Sequence, residues 1–94
     1  MRLTDLDPGW FTTRTGRTGM GVTFRCPCKP NCSTYLGVWF ANPIDGGPPA
    51  EPEIDPKPRW HRTGETFETL TLSPSIDVSQ SGHWHGFIIN GEIK

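Results

Sequence analysis

Gly21-Val-Thr-Phe24-Arg-Cys26-Pro-Cys28-Lys-Pro-Asn-Cys32, followed by Tyr35-Leu-Gly-Val-Trp-Phe40, is the stretch that decides the fold. Val22 and Phe24 alternate with polar neighbours, the period-two pattern of a half-buried strand. Residues 35–40 are rich in β-branched and aromatic side chains and read as a second strand. Two prolines and an asparagine punctuate the segment between them, which makes it a turn. Cys26, Cys28 and Cys32 all fall inside that turn. The unit therefore reads as strand, knuckle, strand. Thiolates are strong zinc ligands, and one tight turn can converge several of them on one ion. The spacing Cys-x-Cys-x-x-x-Cys differs from the common Cys-x-x-Cys knuckle.

Three cysteines cannot pair completely, which argues against a disulfide framework and fits a reducing compartment. Structural zinc takes four ligands, so the cluster needs one more. The candidates are His61, His83 and His85. On a strand, His83 and His85 project from the same face.

Outward from the knuckle, the rest of the chain also reads as β. The third predicted strand covers residues 66–72, where Leu70 and Leu72 alternate with Thr69 and Thr71. Pro74 removes a ladder donor and ends it. The fourth covers residues 83–89. Asn90-Gly91 is a hairpin-turn dipeptide, and residues 92–94 form a short return strand. Residues 42–58 hold six prolines together with Gly46 and Gly47. They read as an extended loop insertion, a surface feature first and a partner contact second. Residues 1–21 are polar and Gly/Thr-rich and read as an N-terminal arm, docked at one end by Leu3, Leu6, Trp10 and Phe11. Residues 22–94 form the single zinc-binding domain. The predicted fold is mostly β, a small antiparallel sheet with a zinc knuckle and a long Pro/Gly-rich loop.

Composition supports this. The chain has 94 residues, 33% of them hydrophobic, with 11 Gly and 10 Pro, which disfavours a helical bundle. A domain of this size buries a small core, so four Trp, five Phe and a metal staple matter to it. The formal net charge of −1 offers no basic field and does not favour nucleic-acid binding. No apolar run reaches membrane-spanning length, and the first ten residues lack the apolar core of a secretory signal. The expected location is the cytoplasm.

Two chemistries are compatible with these residues. Ser73-Pro-Ser75 precedes His83 and His85 by a short link, and a serine with a histidine base within hydrogen-bond reach is the minimum for nucleophilic catalysis. A zinc hydrolase would instead hold the metal with three protein ligands and a water, with Glu65 or Glu68 as base. A thiolate-rich site argues for a closed, structural metal.

Four segments occur in a familiar order: Phe24-Arg-Cys26-Pro-Cys28; Trp60 with Thr63-Gly64; Leu70-Thr-Leu-Ser-Pro-Ser75-Ile76; and Gly82-His-Trp-His85-Gly-Phe-Ile-Ile-Asn-Gly91-Glu. From Val22 to the C-terminus, with the proline loop of residues 42–58 left out, the chain resembles the small Cys-Pro-Cys domain family long described as of unknown function. That family occurs in phages and prophages, sometimes under an "ammonia monooxygenase" label, and beside bacterial ubiquitin-like conjugation genes. The resemblance implies a zinc-stabilised serine peptidase-like domain that trims or removes ubiquitin-like or other small proteins. It implies Ser75 as nucleophile and His85 as base. It also implies a structural Zn2+ on Cys26, Cys28, Cys32 and His83, the last standing where relatives often carry cysteine. The opposite assignment, His85 on zinc and His83 free, stays open. Asp77 and Glu68 are the acids nearest in sequence, and neither matches a motif for a third catalytic residue. The alternative is a non-catalytic zinc-binding interaction module.

Overall fold

The structure, a computed structural model, describes residues 1–14, 16–28, 32–48 and 59–94. Among the described residues nine strands follow in order: β1 (Gly9–Thr12), β2 (Thr18–Arg25), β3 (Tyr35–Phe40), β4 (Arg59–Thr63), β5 (Thr71–Ser73), β6 (Ile76–Asp77), β7 (His85–Gly86), β8 (Ile88–Ile89) and β9 (Glu92–Ile93). Short 3-10 turns cover Leu3–Leu6 and Ser79–Ser81. The mostly β expectation holds, and the pairing is predominantly antiparallel.

The central sheet has the order β1-β2-β3-β4-β5. β2 and β3 are the two strands flanking the cysteine turn, paired from Gly21 opposite Trp39 to Arg25 opposite Tyr35. Alternation along β2 sends Met20, Val22 and Phe24 inward, each fully buried. Val38 and Phe40 of β3 meet them in one core with Leu70, Leu72 and Ile88. Burying an aliphatic or aromatic side chain of this kind contributes about 1.5–3 kcal/mol, so this cluster carries the packing of the domain.

One pairing departs from the antiparallel plan. β4 lies parallel to β3, with Trp39 opposite Arg59 and Phe40 opposite Trp60. A parallel partner requires a long crossover connection, and the proline-rich segment after β3 provides it. That segment falls largely outside the described residues. Its described beginning is fastened down: Asn42 Nδ2 donates to the Arg62 carbonyl, and the Arg62 amide donates to Asn42 Oδ1, each at 2.9 Å. Arg17 holds Asp45 through Nε at 2.7 Å.

The N-terminal segment is more than an arm docked at one end. Leu3 and Leu6 are buried in the core, and β1 pairs with β2. Trp10 stacks on Phe67 at 4.2 Å between ring centroids. Four apolar side chains outweigh the polar residues around them.

Two predicted strands are shorter than their patterns. Residues 66–69 turn instead of extending, because the Thr66 and Thr69 hydroxyls bond to one another and the Thr69 amide donates back to the Thr66 carbonyl. Such local bonds compete with a ladder, and only β5 remains. The 83–89 strand breaks into β7 and β8. The Asn90-Gly91 turn forms as expected. Both residues take positive φ, 49° and 74°, the requirement of a tight hairpin between twisted strands.

Candidate functional site

The β2–β3 hairpin closes beneath the knuckle through the Cys26 amide, which donates to the Thr34 carbonyl at 2.7 Å. Phe24, two residues before Cys26, is the anchor for the second half of the site. Trp84 meets it edge-on, with centroids 6.0 Å apart and planes at 86°. The Trp84 ring lies over Gly86, where a Cβ would fall 2.6 Å from the ring. This packing fixes the C-terminal hairpin against the start of the knuckle. Its neighbour His83 is thereby carried to the cysteines.

His83 Nδ1 stands 3.7 Å from Cys32 Sγ and 3.8 Å from Cys28 Sγ. The ligand atoms of Cys26, Cys28, Cys32 and His83 all lie within 4.8 Å of one another. Three sulfurs and one imidazole nitrogen so gathered can hold a metal ion. All three cysteines are free thiols, with Cys26 and Cys32 buried and Cys28 at the surface. The Thr34 amide stabilises the Cys32 thiolate and brings its pKa down to about 6, with Cys28 assisting. The Cys28 thiol, hydrogen-bonded to Cys26 and partly desolvated, is pushed up to about 11. Crowding several thiols makes each further ionisation harder, and a cation removes that cost.

The two other histidines lie elsewhere. His61 is exposed on β4, opposite Ser73 of β5. His85 is exposed on β7, whereas His83 precedes that strand. Gly82 ends the Ser79–Ser81 turn with φ at 77°. The His83 amide then donates to the Val78 carbonyl at 3.1 Å. The shared-face expectation for a His-x-His strand therefore does not apply, because only His85 belongs to the ladder. Glu65 and Glu68 are exposed in the connection from β4 to β5, and neither joins the cluster.

Ser75 is half-buried immediately before β6, and its carbonyl accepts from Trp60 Nε1 at 3.3 Å. In the β6–β7 ladder Ile76 opposes Gly86 and Asp77 opposes His85. Continued by one residue, this register sets Ser75 diagonal to His85, a cross-strand relation of roughly 7–8 Å between backbones. Among the described residues, the Ser75 hydroxyl and the His85 ring make no hydrogen bond. Asp77, directly across from His85, is the neighbour that the linear sequence left without a role.

The bacterial ubiquitination-like system serine protease family (BubE) matches residues 2–94. The chain belongs to the BubE family. The match extends through the N-terminal segment, so the BubE unit includes the 3-10 turn and β1 as well as the knuckle. No curated protein and no solved structure matches the chain. Among the described residues, no helix is long and apolar enough to cross a membrane.

Proposed function

We propose that this BubE-family chain is a zinc-stabilised serine peptidase that processes ubiquitin-like or other small proteins, with Ser75 as nucleophile and His85 as general base. The observation that carries this reading is the division between the two C-terminal histidines. His83 is committed to the thiol cluster, while His85 stays exposed on the strand that pairs with the Ser75 segment.

Zinc fits the cluster on chemistry and on spacing. Zn–S bonds of about 2.3 Å and Zn–N bonds of about 2.0–2.1 Å give S···N edges of roughly 3.6 Å in a tetrahedron. The observed separations are 3.7 and 3.8 Å. Bound there, the ion would neutralise the thiolates and cross-link the knuckle to the C-terminal hairpin. Cys26, Cys28, Cys32 and His83 supply four ligands, a complete tetrahedral set. That supports a structural role over a zinc hydrolase, which would need an open position for water.

In the proposed reaction, Ser75 Oγ attacks the carbonyl carbon of the scissile bond as His85 takes the hydroxyl proton. His85 returns that proton to the leaving amine. Water then releases the acyl group by the same route in reverse. Closing the gap between Ser75 and His85 requires a small rearrangement on substrate binding, and catalytic hydrogen bonds commonly tighten only in the complex. A non-catalytic zinc-stabilised interaction module is the second reading, favoured by the missing Ser75–His85 hydrogen bond. A serine-reactive fluorophosphonate distinguishes the two. The peptidase reading requires labelling of the wild type and none of Ser75→Ala; equal labelling of both would remove Ser75 as nucleophile.

A further inference from the structure

We propose that Asp77 is the positioning residue for His85, holding its ring with the proton on Nδ1 and the Nε2 lone pair free. The inference rests on the peptidase reading for its consequence but on the hairpin's geometry for its substance. Asp77 and His85 are direct partners in the β6–β7 ladder. The Val78 amide donates to the Trp84 carbonyl at 2.9 Å, one step further along the same register. Hydrogen-bonded and non-hydrogen-bonded pairs alternate in an antiparallel ladder. The 77/85 pair is therefore the non-hydrogen-bonded kind, in which facing side chains come closest, about 4.5–5.5 Å between Cβ atoms. The flanking Ile76 and Gly86 are buried, while Asp77 and His85 are exposed together.

The carboxylate is already held in place. Asp77 Oδ1 accepts from the Ser79 amide at 2.9 Å and from the Ser79 hydroxyl at 2.6 Å. These bonds start the 3-10 turn that leads to His83. Among the described residues, Oδ2 takes no hydrogen bond, so one oxygen anchors the turn and the other remains for the imidazole. A fixed carboxylate beside a neutral imidazole selects the tautomer that donates toward it. That choice leaves Nε2 as the proton acceptor a serine needs. Asp77 takes no proton and forms no bond to substrate. The same carboxylate caps the loop carrying the metal ligand, so it joins the two parts of the site.

Asp77→Asn separates this role from loop capping, because an amide oxygen still accepts from Ser79. The first readout is the 15N ring spectrum of His85 in the metal-loaded protein at pH 8, assigned by its loss in His85→Ala. The wild type should show one tautomer with Nδ1 protonated, and Asp77→Asn should show a mixture at an unchanged melting temperature. The second readout is the rate of fluorophosphonate labelling. Asp77→Asn should slow it by about 10²-fold or more, and should add nothing in a His85→Ala background, since residues acting as one unit are non-additive. An unchanged His85 tautomer in Asp77→Asn overturns the inference, as does a loss that adds in full to that of His85→Ala. A tautomer switch in a protein that no fluorophosphonate labels would sustain the pairing and defeat the peptidase reading instead.

Discussion

His83 Nδ1 lies 3.7 Å from Cys32 Sγ, although the two residues are 51 positions apart in the chain. That contact ties the first hairpin of the central sheet to the last third of the sequence. It also leaves His85, two residues on, outside the group of three thiols and one imidazole that could hold a metal ion. Packing explains the arrangement: Trp84 sits edge-on to Phe24, and Phe24 leads directly into the knuckle.

Removal of metal should cost this domain much of its fold. Apparent zinc-binding energies in small zinc-stabilised folds are about 10–16 kcal/mol, comparable with the whole stability of a domain, about 5–15 kcal/mol. A strong chelator should lower the melting temperature sharply, and Cys28→Ala should do the same without chelator. Cys28 lies at the surface, so its truncation leaves no cavity to blame. A melting curve indifferent to chelation would contradict a structural ion.

Gly86→Ala should damage the site from a distance. Its Cβ would press on three atoms of the Trp84 indole at 2.6–2.8 Å. Overpacking of this kind costs about 1–3 kcal/mol. Displacement of Trp84 should also move His83, so metal affinity should fall along with the melting temperature. Competition with a colorimetric zinc chelator measures the affinity. Unchanged affinity would show that Trp84 does not position His83.

The strands divide into those written in local sequence and those imposed by packing. Val22 and Phe24 alternate plainly, residues 35–40 are β-formers throughout, and Asn90-Gly91 specifies its hairpin, so β2, β3 and the last turn were legible. β1 and β4 were not, because Gly9–Thr12 and Arg59–Thr63 carry weak alternation and owe their pairing to neighbours. The parallel β3–β4 contact depends on a long connection whose path no local pattern encodes. At the site, the knuckle cysteines were evident from their clustering. The resemblance set His83 with the cysteines and His85 with the serine, whereas the local pattern put both on one strand face; the strand boundary that the Gly82 turn places between them was hidden. Asp77 stood out in the sequence only as a nearby acid, because its partner is set by cross-strand register, not by proximity in sequence.

Acid should release the bracket between the β1–β2 connection and the segment after β3. The Arg17 guanidinium, with help from the Gly47 amide, holds the Asp45 carboxyl down to about 2. A depressed folded-state pKa means that the pair's contribution is complete above the unfolded value, about 3.9, and is lost as pH falls through about 2. The pair is solvent-exposed, so its weight in stability is small. Carboxyl 13C shifts should place the Asp45 midpoint near 2 in wild type and in the ordinary carboxylate range in Arg17→Ala. Identical midpoints would mean that the bracket does not form in solution.

His85→Ala should cut turnover steeply while leaving the fold intact. General-base catalysis by a positioned side chain contributes about 10²–10⁴-fold, and the exposed His85 ring packs into no core cluster. Cleavage of a ubiquitin-like fusion substrate should fall by that factor with the melting temperature preserved. Full activity in His85→Ala would remove it as the base.

The proposed function gives the two C-terminal histidines different tasks. Metal content on protein purified without added zinc separates those tasks, measured for wild type, His83→Ala and His85→Ala. One zinc per chain in wild type and His85→Ala, with loss in His83→Ala, is the expected result. Zinc retained by both variants, or lost only from His85→Ala, would contradict it.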